Sequence, residues 1–399
     1  MTVTDRLERP VVEVADVIRE HGEAFLARHG GRLTDGQRRA LRDLAVCRTA
    51  ALGGHIQRCD DCGHERPAYN SCRNRHCPKC QAATRAQWLE REANYLLPTE
   101  YHHVVFTLPV EVAELALTQP ALVYDLLFQA ASATLREVAA NPKRLGAQIG
   151  VLMVLHTWGQ TLHHHPHVHC VVTGGGLSCD ARGVIDETPR WVSCRPGFFL
   201  PVQVLSRVFR GKYLALLRQA VEQGKLVGWS NPEALRDWLA RLSTQEWVVY
   251  AKPPFGGPQR VLKYLARYIH RVAISNHRLV SLAEGRVTFR YKDYADDHRS
   301  KTMNLSADEF LHRFVQHVMP RGFVKVRHFG LLANRHREDR LQVCRRLLLV
   351  AAALTANTAN EPDAVTVEST RSACCPRCGS HRLTTIVVPT GGTTPRDTS

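Results

Sequence analysis

His167-Val-His-Cys-Val-Val-Thr-Gly-Gly-Gly176 is the stretch on which the fold turns. Its β-branched residues and final glycines read as a strand that the glycines end. On a strand, side chains alternate between faces. His167 and His169 therefore share one face, while Val168 and Cys170 point into a core. Imidazoles spaced about 7 Å along a strand can share one divalent ion. A chain with 21 histidines in 399 residues yields about one His-x-His pair by chance. The pair therefore has weight only through its setting, and a His-rich strand mouth without metal is the competing reading.

That setting is a run of strands mixed with helices. HHVVFTLP (102–109) and GVLMVLHTW (150–158) are strand-like, with further strands expected at 247–252, 272–281, 286–292 and 322–328. Helical segments are expected near 121–140, 201–222 and 231–242. Hairpins among strands with helices beside them give an α+β fold around a largely antiparallel sheet. His156 and Gln160, at the end of the preceding strand in VLHTWGQ, are the best-placed residues to complete a metal site with His167 and His169.

A second signal lies in VLKYLARYIHRV. Tyr264 and Tyr268 stand at i and i+4, so a helix presents both on one face. Each is followed three residues later by an arginine, Arg267 and Arg271. Such a pair could simply belong to a core-facing stripe. As nucleophiles, two phenols with a pKa near 10 need a polarised phosphate and nearby cations. The arginines can neutralise phosphate oxygens.

Upstream, Cys59-x2-Cys62 and Cys77-x2-Cys80 form two CxxC turns fourteen residues apart, a spacing that fits one structural Zn²⁺ with four thiolates. Cys72, His76, His64 and His55 are further candidates in the same segment. Arg73, Arg75, Lys79 and Arg85 give it a basic skin suited to docking DNA. Cys374, Cys375, Cys378 and His381 look like half of a zinc ribbon, with no second knuckle following.

The 53 Lys and Arg exceed the 37 Asp and Glu by a net +16, spread along the chain, and nucleic acid is the default partner for such a surface. The first ten residues are charged and no apolar segment reaches the ~20 residues a bilayer span needs, so a cytoplasmic, reducing setting without a membrane is expected. Thirteen cysteines there read as metal ligands rather than disulfides.

Taken together, YNSCRNRHCPKCQ, HHVVFTLP, VLHTWGQ, HHPHVHCVV, YLARYIHRVAISN and GFVKVRHFGLLAN resemble the two-tyrosine HUH transposases of rolling-circle insertion sequences. The resemblance covers most of residues 50 to 335. The family's three motifs fall on Val104–Pro109, on His167 and His169, and on Tyr264 and Tyr268. Arginine stands here where many rolling-circle initiators carry lysine after the tyrosine. The resemblance implies a zinc-binding region followed by an HUH nuclease core, with Mg²⁺ or Mn²⁺ at the histidines and 5′-phosphotyrosine links to single-stranded or hairpin DNA ends. No GxxxxGK[ST] motif is present, so unwinding would fall to a host helicase or replication machinery. The expected division is a helical segment (1–50), a zinc module (51–97), a catalytic domain (98–335), and a C-terminal helix with a flexible tail (336–399). A plasmid replication initiator or mobilisation relaxase uses the same chemistry. A zinc-dependent DNA-binding regulator without nuclease activity is the reading from a different class.

Overall fold

The computed structural model describes residues 10–228, 231–252, 257–258, 260–261, 264, 272–355 and 374–390. The chain divides into two compact units, one of Met1–Ala83, Ile274–Val318 and Thr358–Ser399, the other of Thr84–Ala273 and Met319–Asn357. Both are discontinuous. In each, strand pairing joins segments far apart in sequence.

The first unit contains helices α1 (Val14–His29) and α2 (Asp35–Ala45). Helix α2 starts where Thr34 accepts the Gln37 backbone N–H at 3.3 Å while Gln37 Oε1 accepts from Thr34 N at 2.8 Å. This reciprocal cap satisfies two backbone donors and stabilises the helix start by about 1 kcal/mol. Strands β1 (Gly54–Cys59) and β2 (Glu65–Tyr69) form an antiparallel hairpin. A three-stranded antiparallel sheet in this unit is formed by residues 279–283, 286–293 and 299–306.

The second unit is built on a six-stranded antiparallel sheet. Its strands are β3 (Tyr101–Thr107), β4 (Ala147–Trp158), β5 (His164–Ser178), β6 (Trp191–Ser193), β7 (Val249–Lys252) and, after the three strands of residues 279–306 (β8, β9 and β10), β11 (Val326–Gly330). The order is β11-β4-β5-β3-β7, with β6 paired to β5. The α+β class and the antiparallel sheet are as the sequence indicates. Strand β5 does not end at the glycines but runs through them to Ser178. A Cβ on Gly176 would lie 2.1 Å from the Gln148 carbonyl oxygen, and one on Gly175 2.5 Å from that of Val192. The run therefore keeps the strand going where neighbouring backbone leaves no room for side chains.

The period-two pattern decides the two faces of this sheet. Val104, Phe106, Met153, Leu155, Val168 and Cys170 enter a buried core with helices α3 (Val110–Thr118), α4 (Pro120–Ala140) and α5 (Val202–Glu222). Residues of opposite parity, including Leu152, Val154 and Val171, pack with Tyr101, Val261, Leu331, Leu341 and the half-buried Tyr264. The histidines stand on this second face.

Candidate functional site

Cross-strand register assembles the histidines. His156 of β4 lies directly opposite His167 of β5, and His169 follows on the same face two residues later. The ligating atoms of His156, His167 and His169 lie within 4.8 Å of one another. His156, which the sequence singled out as a companion, thus joins the pair. Gln160 lies past the end of β4.

Hydrogen bonds fix which nitrogens face inward. His167 Nδ1 lies 2.7 Å from the His165 carbonyl oxygen, so it carries the proton and donates. His169 Nδ1 sits 2.9 Å from His103 Nε2 and 3.1 Å from the Tyr264 hydroxyl. With both Nδ1 atoms engaged, the two Nε2 atoms face each other at 3.1 Å. The spacing matches the edge of about 3.0 Å expected for adjacent ligands on an octahedral ion with bonds of about 2.1 Å. Burial pushes His167 down to about 4, so it is neutral at pH 7 and free to coordinate. Engagement of the outer ring nitrogen is the usual support of a metal-bound histidine.

Tyr264 reaches this cluster from a helical turn, its hydroxyl 2.7 Å from His103 Nε2. His103 stacks on His169 with ring centroids 5.1 Å apart and nearly parallel planes. Burial, aided by the charge of Lys252, holds His103 down to about 3. A neutral imidazole can accept the phenolic O–H. The sequence reading passed over His103. Its signal was parity: Val105 pairs with His169 and His103 with Val171, placing His103 on the histidine face. By contrast, His164 is structural, its ring nitrogens meeting the Tyr124 hydroxyl at 2.9 Å and the Ala113 carbonyl at 3.1 Å. Tyr268, Arg267 and Arg271 lie outside the described residues.

Cys59, Cys62, Cys77 and Cys80, expected around one ion, do not come together. Cys77 and Cys80 cluster with Cys47 and Cys72, and Cys59 and Cys62 with Cys375 and Cys378. In the first cluster Cys77 Sγ is 3.5 Å from Cys47 Sγ, and Cys72 Sγ is 3.8 Å from Cys80 Sγ. A tetrahedral zinc with Zn–S bonds of about 2.3 Å separates its sulfurs by about 3.8 Å, so the donor set fits. Contacts with Cys72 and Cys77 pull the Cys47 thiol down to about 7, toward the thiolate that zinc requires. CxxC pairs are local, but which two pairs share an ion depends on how distant strands meet.

Residues 17–108 match the family described as "Transposase zinc-binding domain", and residues 150–340 match the one described as "Putative transposase". The protein called "Putative transposase y4qJ" of Sinorhizobium fredii is 50% identical over 96% of this chain and 97% of its own length. The transposase for insertion sequence element IS801 of Pseudomonas savastanoi pv. phaseolicola is 30% identical over 78% of this chain and 74% of its own. The chain belongs to the two-tyrosine HUH transposases of rolling-circle insertion sequences. No solved structure matches it significantly.

Within this transposase the basic residues expected to dock DNA differ in their surroundings. Lys79 Nζ is 2.6 Å from Glu13 Oε2, and Arg75 is half-buried, its pKa lowered by burial. Arg73 and Arg85 are exposed. No helix among the described residues of the transposase is long and apolar enough to cross a membrane.

Proposed function

We propose that this transposase nicks and rejoins single DNA strands through 5′-phosphotyrosine intermediates, with Tyr264 and Tyr268 as nucleophiles. The observation that carries the reading is the Tyr264 hydroxyl 2.7 Å from His103 Nε2 and 3.1 Å from His169 Nδ1, one ring away from the histidine cluster.

In the proposed step, His103 holds the phenolic proton and aims an oxygen lone pair at the scissile phosphorus. The Tyr264 oxygen forms the new P–O bond, the P–O3′ bond breaks, and the departing 3′ oxygen takes up a proton. Attack of a 3′-hydroxyl on the phosphotyrosine reverses the process and restores the phenol. Arg267 and Arg271 are assigned to phosphate oxygens. His156, His167 and His169 would hold Mg²⁺ or Mn²⁺, which when bound polarises the phosphate and offsets its developing charge. Cys47, Cys72, Cys77 and Cys80 would hold a structural zinc. The DNA partners are single-stranded or hairpin element ends, opened by host helicase or replication machinery in the bacterial cytosol.

The test is incubation with single-stranded oligonucleotides from the flanks of the element, with Mg²⁺ or Mn²⁺, read as denaturant-stable protein–DNA adducts. Wild type should form adducts, each single Tyr→Phe variant should retain some, and the double variant should form none. An adduct in the double variant would move the nucleophile elsewhere, Tyr291 and Tyr294 being next.

A further inference from the structure

The geometry points to a second zinc ion, held by Cys59, Cys62, Cys375 and Cys378, that fastens the C-terminal segment onto the N-terminal hairpin. The matched zinc-binding domain ends at residue 108 and does not reach Cys375. The inference rests on the reading that this region binds zinc, and extends it to a separate ligand set.

Three independent features converge. The first is sulfur spacing: Cys59 Sγ lies 3.5 Å from Cys378 Sγ and Cys62 Sγ 3.6 Å from Cys375 Sγ, close to the edge of about 3.8 Å of a ZnS₄ tetrahedron.

The second is a duplicated backbone turn. Both pairs belong to a Cys-x-x-Cys-Gly sequence, CDDCG at 59–63 and CPRCG at 375–379. In the first, the Gly63 N–H donates to the Cys59 carbonyl at 2.9 Å and the Cys59 N–H to the His64 carbonyl at 2.9 Å. In the second, the Gly379 N–H donates to the Cys375 carbonyl at 2.8 Å and the Cys375 N–H to the Ser380 carbonyl at 2.7 Å. Gly63 at φ +70° and Gly379 at φ +76° take the left-handed conformation that closes each turn. Cys77-Pro-Lys-Cys80 is followed by Gln81 and lacks this glycine. The two glycine knuckles face each other as halves of one zinc ribbon.

The third is the strand that follows. Strand β12 (Leu383–Val388) pairs with β1 in antiparallel register from Cys59↔Leu383 to Gly54↔Val388. It buries almost no side chains, and Val387 is 77% exposed. A short edge strand without a buried face is marginal on backbone hydrogen bonds alone. Cys59 and Cys375, at 1% and 2% exposure, are the buried points of the attachment. The residues expected to form half a ribbon in a flexible tail thus find the other half more than 300 positions earlier.

The test uses the full chain, purified under reducing conditions, with zinc counted by elemental analysis and amide hydrogen exchange followed in residues 54–59 and 383–388. Wild type should carry two zinc ions. Cys375→Ser/Cys378→Ser should carry one, with exchange in β12 rising at least tenfold while α2 stays protected. Cys47→Ser/Cys72→Ser should also lose one ion but keep β12 protected. One zinc in wild type, unchanged by Cys375→Ser/Cys378→Ser, would overturn the inference and leave the Cys47 cluster standing. No zinc at all would overturn both. Loss of free thiols at all four positions on denaturation would replace the ion with disulfides, and persistent β12 protection in the one-zinc variant would remove the fastening role.

Discussion

Replacing His103 separates a nucleophile placed by chance from one held for attack. His103→Leu is best made in a Tyr268→Phe background, so that only Tyr264 can react. The substitution keeps the volume, and because burial holds the imidazole neutral, no buried charge is lost and the fold should survive. What changes is the hydrogen bond from the Tyr264 hydroxyl at 2.7 Å. With leucine there, the phenolic proton can turn to His169 Nδ1 at 3.1 Å. If His169 accepts it, the His169 proton moves to Nε2, opposite the His167 Nε2 at 3.1 Å, and one ligand lone pair is lost. If His169 keeps its tautomer, the hydroxyl loses its 2.7 Å acceptor, at a cost of about 1–3 kcal/mol. As a positioned proton acceptor, His103 is worth about 10²- to 10⁴-fold in rate. The single-turnover nicking rate of an oligonucleotide should therefore fall about 10²- to 10⁴-fold, with unchanged circular dichroism and DNA affinity. His103→Gln, which restores an acceptor, should recover part of the rate. A His103→Leu variant nicking within threefold of its Tyr268→Phe parent would refute the reasoning.

Other outcomes follow from the same geometry. His167→Ala/His169→Ala should abolish nicking while leaving oligonucleotide binding within a few-fold of wild type, measured by gel shift beside a cleavage assay. Chelation of zinc should loosen the segment around Cys47, Cys72, Cys77 and Cys80, whose thiols converge on one point; a circular dichroism spectrum unchanged in excess chelator would contradict this. Gly330→Ala should lower stability by about 2 kcal/mol or more, read as a fall in melting temperature of several degrees, since Gly330 has φ +62° and a Cβ would stand 1.9 Å from the Ile149 carbonyl oxygen. DNA affinity should fall steeply as salt rises from 50 to about 200 mM, as a net +16 chain binding phosphates requires; a flat salt profile in a filter-binding titration would argue for a nonionic interface.

Much of the site was legible because it depends on local periodicity. Alternation along β5 puts His167 and His169 on one face whatever surrounds them, and the same alternation sends Val168 and Cys170 into the core. The α+β class follows from strand-like and helix-like segments, each a local property. His156 was within reach because it ends the strand preceding the pair.

What the sequence could not decide is register and partnership between distant segments. His103 joins Tyr264 only because β3 pairs with β5 so that Val105 meets His169; a one-residue slip would turn it to the opposite face. Cys59 and Cys62 take partners near residue 375 rather than at 77 and 80 because β12 adds to β1, a pairing without any local trace. The glycine after each knuckle was the one sequence signal that distinguished the pairs. Short-range spacing determines which side chains share a face or a turn, whereas strand pairing between segments hundreds of residues apart determines which faces and turns meet, and only the folded chain satisfies those backbone hydrogen bonds.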